Sequence, residues 1–127
     1  VMDLHRLLGH LPTEVSEYRR YRCSVGDLIE SHLAIEDVLN PLEAGSARET
    51  LANLAPLKAG DEPLVDGHLL SSTSDLPAGR RLGRLKEWLF SIQIEQDLDN
   101  PDEVLALLDV LDWKNTDPES WPDSNWP

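Results

Sequence analysis

Apolar residues recur at three- and four-residue steps along most of the chain, which is the spacing of an α-helix with one buried face. Strand-like alternation of apolar and polar residues never extends beyond three or four positions. The sequence therefore predicts an all-α fold, a compact multi-helix domain with at least four helices. His32 lies within an apolar stripe and is expected to be a core or boundary residue with a hydrogen-bond partner. The apolar core is expected to contain Leu28, Leu33, Leu82, Leu85, Leu89, Ile92, Leu105 and Leu108.

Capping residues and prolines mark the predicted ends of the helices. Ser24 with Asp27, and Ser46 with Glu49, each have the form of a capping box, in which two side chains bond the first turn. Asn100 followed by a proline is the clearest helix start in the chain. The predicted helices cover residues 13–22, 25–39, 46–54, one or two turns after Asp66, 79–96 and 101–111.

Chain length and composition predict how the domain is organised. At 127 residues the chain is expected to form one helical domain over 1–113, in which 1–60 and 61–113 are candidate subunits sharing a core. After Trp113 the sequence becomes polar and rich in proline, with Trp121 and Trp126 standing alone. We expect residues 114–127 to form a tail that is either flexible or lies across the helices.

Composition also bears on location and partners. The longest apolar runs, such as Val104–Leu108, have five residues, so we expect no membrane-spanning segment. The single cysteine, Cys23, suits a reducing compartment, and we predict a cytoplasmic protein. Twenty-four acidic and eleven basic residues give a net charge of −13, which repels phosphate if it is spread evenly. This acidity is compatible with a salt-loving host and with an acidic interaction surface.

The basic residues are not spread evenly, because seven of the eleven lie in two short windows. A helix start at the second window would place free backbone N–H groups beside arginines, and both groups bind phosphate. Gly79 and Gly83, four residues apart, would let a phosphate backbone approach that helix closely. An equally compatible interpretation is that the glycines pack helix on helix and the arginines form a solvated surface. The windows contain Arg19, Arg20 and Arg22, and then Arg80, Arg81, Arg84 and Lys86.

No set of residues matches a catalytic or metal-binding motif. Cys23 has no histidine near it in sequence and no glycine-rich loop that could bind an oxyanion. His5 and His10 are five residues apart, which does not stack them on one helix face. Asp97 and Asp99 lie in a predicted helix connection, whereas carboxylates that hold magnesium for nucleotidyl transfer lie on a rigid sheet. We therefore predict no catalytic residue, no metal and no cofactor in this chain.

The residues around the second basic window follow a longer pattern, which includes Val65–Leu70, Leu76–Leu85, Gln93 and Asp102–Leu108 in this order. This stretch resembles the C-terminal region of the bacterial-type tRNA nucleotidyltransferases, the family of CCA-adding enzymes and poly(A) polymerases. In that family an all-helical body and tail clasp the elbow of tRNA and recognise its shape rather than its sequence. The resemblance therefore implies a domain that binds structured, tRNA-like RNA.

The chain also departs from that family. It lacks the Gly-Gly-x-hydrophobic-Arg-Asp segment that binds nucleotide, and Glu36-Asp37 is not followed by the arginine of the family's base-selecting Glu-Asp-x-x-Arg helix. The glycine that precedes the family's Pro-Gly turn is replaced by Ser-Ser-Thr-Ser-Asp. The resemblance thus implies a tail domain without the catalytic head. The catalytic part would then be a separate head domain or a partner protein.

Two functions from different classes are most consistent with the sequence, and a self-contained small enzyme is a third, less favoured interpretation. The first is RNA binding, with phosphate contacts from the seven basic residues of the two windows together with Gly79 and Gly83. The second is an acidic adaptor that binds another protein through a helical groove and the tryptophans Trp113, Trp121 and Trp126. Basic clusters on a single face would favour RNA, and an exposed apolar groove beside the tryptophans would favour the adaptor.

Overall fold

The computed structural model describes residues 4–127, and every regular element in that range is a helix. This confirms the predicted all-α fold class. None of the helices in these residues is both long and apolar enough to cross a membrane. The α-helices are Val15–Val25 (α1), Ile29–Leu39 (α2), Pro41–Asn53 (α3), Gly67–Ser74 (α4), Arg80–Gln96 (α5) and Pro101–Ala106 (α6). Short 3-10 turns cover Leu4–Leu7, Gly26–Leu28, Leu107–Asp109 and Pro118–Ser120.

The chain divides into two compact units. The N-terminal unit contains the residues up to Pro56 and also the last three residues, Asn125–Pro127. The C-terminal unit is Leu57–Ser124. Residues after Trp113 are therefore divided between the two units.

In the N-terminal unit, α1, α2 and α3 bury one face each. Leu7, Tyr21, Val25 and Trp126 form one apolar cluster, and Tyr18, Leu33 and Ala47 form another. Leu33 is buried as predicted, and Leu28 packs against the first cluster while half-buried. His32 and Glu36 on α2 are fully buried among these apolar groups.

Both predicted capping boxes in this unit are wrong. Ser24 lies inside α1, which continues to Val25 and ends at Gly26, where a φ of 54° is the left-handed conformation that favours glycine. Ser46 and Glu49 lie inside α3, which already starts at Pro41. Proline is favoured at the first helical position because the N–H group it lacks has no partner within the helix. Pro41 therefore begins α3 in addition to ending α2.

The predicted helix starts in the C-terminal unit are confirmed. The Asp66 carboxylate accepts a hydrogen bond from the Leu69 N–H at 2.8 Å, and the Asn100 side chain accepts one from the Asp102 N–H at 2.9 Å. Of the predicted core residues here, three are buried and three are half-buried. The buried ones are Leu82, Leu85 and Leu89, and the half-buried ones are Ile92, Leu105 and Leu108.

The tryptophans of the segment after α6 are buried, each in its own unit. Trp113 and Trp121 belong to the apolar core of the C-terminal unit, at 6% and 4% exposure. Trp126 belongs to the N-terminal unit, where its Nε1 donates to the His10 carbonyl at 2.7 Å and its ring meets that of Tyr21 edge-on. We refer to residues 113–124 as the strap.

Candidate nucleic-acid interface

The helix–turn–helix predicted from the sequence is formed by α4 and α5. The turn begins at Asp75, which has a left-handed φ of 64°, and ends at Gly79, the residue just before α5. Gly79 has φ 157° and ψ −169°, a conformation that is essentially restricted to glycine. A glycine is therefore needed at this position for the chain to enter α5.

Two arginines of the first turns of α5 hold the strap. Arg81 Nη1 donates to the Trp113 carbonyl at 2.8 Å, and its guanidinium lies 5.5 Å from the centre of the Trp121 ring. Arg84 donates through Nε to the Pro118 carbonyl at 3.2 Å and through Nη2 to the Trp121 carbonyl at 2.7 Å. The side chains of Arg81 and Arg84 are thus held in defined positions by the backbone of the strap.

The carbonyl partners leave the positive charge of these arginines in place, because a neutral oxygen does not cancel a guanidinium charge. Acidic residues of the strap offset part of it: Glu119 pairs with Arg80, and Asp123 lies 3.8 Å from Arg84. The first pair is solvated, with 73% and 55% of its two side chains exposed, and an exposed ion pair contributes only about 0–1 kcal/mol. An anion of higher charge can therefore displace Glu119 from Arg80 at little cost in stability.

These cations lie at the end of α5 where positive charge is least favourable for the helix. The aligned peptide dipoles give the helix start a partial positive charge, so acidic residues there are stabilising and basic ones are not. The first turn of α5 contains no acidic residue, and it begins with Arg80 and Arg81. The helix start and the guanidinium groups together favour an anion at this surface.

Two glycines lie beside the arginines with open space above them. Gly79 and Gly83 are both exposed, and a Cβ built on either would contact no atom within 4 Å. Within the described residues 4–127, neither glycine packs against another helix. Gly83 has no left-handed backbone to require a glycine, although a glycine inside a helix costs about 0.5–1 kcal/mol relative to alanine.

The other predicted phosphate-binding residues are placed differently. Lys86 on α5 is half-buried, whereas Arg19, Arg20 and Arg22 belong to the N-terminal unit and not to the unit that contains α5. Arg22 donates to the carbonyls of Leu54 and Ala55 at 3.1 and 2.8 Å, and so ties α1 to the end of α3. The guanidinium of Arg20 lies 5.1 Å from the centre of the Trp126 ring. Both Arg20 and Arg22 thus contribute to packing within their own unit.

The N-terminal unit contains a buried polar network that was not predicted from the sequence, although the i,i+4 spacing of His32 and Glu36 is compatible with it. Glu36 accepts hydrogen bonds from the Gly9 N–H at 2.7 Å and from the Asn40 side chain at 2.8 Å, and its Oε1 lies 3.3 Å from His32 Nε2. His32 Nδ1 is also hydrogen-bonded to the Tyr21 hydroxyl at 2.7 Å. The prediction that His32 is a core residue with a partner is confirmed.

Burial alone would raise the pKa of the Glu36 carboxyl, but the hydrogen bonds from Asn40 and Gly9 and the proximity of His32 lower it on balance. Burial raises the pKa of Tyr21, which keeps its hydroxyl protonated. The network is enclosed, since the side chains of Tyr21, His32 and Glu36 are all 0% exposed. It therefore acts as an internal support of the unit.

Residues 4–127 contain no group of three or more histidine, cysteine, aspartate or glutamate side chains that could hold a metal ion. No protein-family model matches the chain, and neither a curated protein nor a solved structure shows significant similarity to it. The resemblance to tRNA nucleotidyltransferases consequently has only its sequence motifs as support.

Proposed function

We propose that this chain is a non-catalytic domain that binds structured RNA, such as a tRNA, through phosphate groups held at the start of α5. The observation that carries the proposal is the cluster of Arg80, Arg81 and Arg84 at the start of α5, beside Gly83, an exposed helical glycine that neither backbone conformation nor packing explains. Residues three and four apart on a helix share a face, so Gly83 lies beside Gly79 and Arg80. A surface of this kind lets a phosphate backbone approach the helix closely.

The three arginines would contribute to phosphate binding in different ways. Arg80 is exposed and can exchange Glu119 for a phosphate without any change in the packed core. Arg81 and Arg84 are already oriented by the strap, so less side-chain entropy is lost when their remaining N–H groups meet a phosphate. Contacts of this kind recognise the position of phosphates rather than the bases, which suits recognition of RNA by its shape.

The resemblance to the nucleotidyltransferase tail supports the same proposal. Its matching residues have clear local roles: Asp66 caps α4, and the buried Gln93 bonds the Leu64 N–H at 2.9 Å and the Glu62 carbonyl at 3.0 Å. Under this proposal a catalytic head, in the same polypeptide or in a partner protein, supplies the nucleotidyl chemistry. We also propose a cytoplasmic location, on the basis of the single cysteine.

The adaptor function, as we predicted it from the tryptophans, has less support. Trp113, Trp121 and Trp126 are at most 6% exposed, so they do not offer a surface to another protein.

The experiment that tests RNA binding compares Arg80→Gln with Lys58→Gln. Both changes remove one exposed positive charge from the C-terminal unit, but only Arg80 lies at the start of α5. At low salt, fluorescence anisotropy with a labelled tRNA transcript should show weaker binding for Arg80→Gln and near wild-type binding for Lys58→Gln. Equal affinities for the two variants would mean that only net charge matters, and the proposed site would be wrong.

A further inference from the structure

A second exposed feature lies where α2 meets α3 in the N-terminal unit. Val38 is 81% exposed, Leu39 is 56% exposed and Leu42 is 86% exposed, all within five consecutive residues. Single exposed apolar residues are common on protein surfaces, whereas a large contiguous apolar patch marks an interaction site. We refer to these three residues as the α2–α3 corner.

Hydrogen bonds fix the backbone of the corner. Asn40 separates the two helices, and its backbone N–H donates to the Glu36 carbonyl at 2.6 Å while its side chain donates to the Glu36 carboxylate at 2.8 Å. The Asn40 carbonyl in turn accepts from the Ala44 N–H at 2.9 Å, in the first turn of α3. Because Glu36 is itself fixed by Gly9 and His32, the corner presents its apolar side chains on a preorganised backbone.

The surface next to the corner is open. Gly45 lies three residues after Leu42 and therefore on the same face of α3. It is exposed, and a Cβ built on it would contact no atom within 4 Å. The backbone of α3 is thus accessible to an approaching helix beside the apolar side chains of the corner.

The charge around the corner indicates the kind of partner. Residues 29–53, which contain α2 and α3, include five acidic residues and one basic residue, Arg48. Arg48 is already paired with Asp37 at 2.8 Å and with Glu30 at 3.5 Å. Nucleic acid and anionic lipid would be repelled by this surface, and a second copy of the chain would bring acidic residues against acidic ones. The acidic residues that are exposed are Glu30, Asp37, Glu43 and Glu49.

We propose that the α2–α3 corner is a docking surface for a basic amphipathic helix of another protein. The apolar stripe of that helix packs on Val38, Leu39 and Leu42, and its flanking lysines or arginines face the acidic residues on either side. Helices of this type bind apolar surfaces through side chains spaced three and four residues apart. This docking surface is independent of the proposed RNA site, because its residues belong to α2 and α3.

The test uses three designed helical peptides as probes, measured by fluorescence anisotropy with the full chain. One carries leucine on one face and lysine on the other, the second carries glutamate instead of lysine, and the third is a scrambled leucine–lysine sequence. The double variant Val38→Ser/Leu42→Ser removes the apolar surface. Val110→Ser is the matched control, since Val110 is 79% exposed in the C-terminal unit and also lies among acidic residues.

We expect the leucine–lysine peptide to bind the wild type and Val110→Ser equally, and to bind the double variant at least about tenfold more weakly. The glutamate and scrambled peptides should bind much more weakly than the leucine–lysine peptide. Equal binding to the wild type and the double variant would overturn the proposal, as would an equal loss for Val110→Ser. Sedimentation that shows a dimer of the wild type but a monomer of the double variant would also overturn it, because a second copy would then be the occupant.

Discussion

The substitution Gly83→Ala distinguishes a glycine that lets RNA approach the helix from a glycine that has no role in binding. Alanine favours a helix by about 0.5–1 kcal/mol over glycine, and the new methyl group would enter open space, because no atom lies within 4 Å of its position. The free energy of unfolding should therefore rise by about 0.5–1 kcal/mol. If Gly83 has no role in binding, this gain in stability should be the only effect of the substitution.

If a phosphate backbone approaches the face of Gly83, the same methyl group must weaken RNA binding. It pushes a phosphate outward by roughly an ångström, which lowers its Coulomb attraction to a nearby guanidinium by about 0.3–1 kcal/mol. That loss corresponds to about two- to fivefold in affinity per contact. A variant that is more stable and yet binds more weakly is the expected result.

The assay pairs urea denaturation, followed by circular dichroism, with titration of a labelled tRNA transcript at low salt. Gly45→Ala is the matched control, since Gly45 is also helical, exposed and without neighbours at the position of a Cβ. It should give a similar gain in stability with no change in RNA affinity. Gly83→Ala with wild-type RNA affinity would refute the argument that this face of α5 contacts RNA.

Three further predictions test the internal contacts. Glu119→Gln should raise RNA affinity by about two- to fivefold in the same titration, because it removes the carboxylate that competes for Arg80. Unchanged or weaker binding would count against that competition. Leu85→Ala should lower the free energy of unfolding in urea by about 2–5 kcal/mol, since Leu85 is fully buried, and a smaller loss would place it outside the core. Glu36→Gln should lower the free energy of unfolding by about 1–3 kcal/mol near neutral pH. An amide has only one acceptor oxygen, so its NH₂ group would face either the Gly9 N–H or the Asn40 NH₂ group, both of which are donors. Because folding lowers the pKa of the Glu36 carboxyl, its ionised form contributes to the free energy of unfolding above the ordinary pKa of 4.5, and this contribution is lost as the pH falls through the lowered pKa. Urea unfolding at a series of acid pH values should show this loss in the wild type and less of it in Glu36→Gln.

The parts of the fold that could be predicted are those decided by neighbouring residues. Asp66 and Asn100 cap α4 and α6 because each side chain meets an N–H group two or three residues ahead. The apolar spacing of Leu82, Leu85 and Leu89 predicted the buried face of α5 for the same local reason. No knowledge of the tertiary structure was needed for these positions.

The parts that were not predicted depend on contacts distant in sequence. Ser46 and Glu49 could have begun a helix, but α3 started five residues earlier at Pro41, and a capping pattern does not show which start is used. Trp126 looked like part of a polar tail, yet it is buried against Tyr21, more than one hundred residues away. Hydrophobic burial of a tryptophan outweighs the polar character of its neighbours.

The role of the arginines in packing could also not be predicted from the sequence. We expected Arg80, Arg81 and Arg84 to be solvated or free for phosphate, in which case replacing all three would barely change stability. Arg81 and Arg84 instead hold the carbonyls of the strap, so the triple variant would lose stability along with RNA contacts. Arg80→Gln is for this reason the cleaner probe of the proposed site.

The salt dependence of tRNA binding is the decisive test of whether the start of α5 binds RNA through phosphates. Each phosphate contact contributes about 0.7–0.9 to the slope of the logarithm of affinity against the logarithm of salt concentration. We expect a clear negative slope for the wild type, and a slope shallower by about 0.7–0.9 for Arg80→Gln, with no such change for Lys58→Gln. A wild type that does not bind tRNA even at low salt, or the same slope in all three proteins, would contradict it.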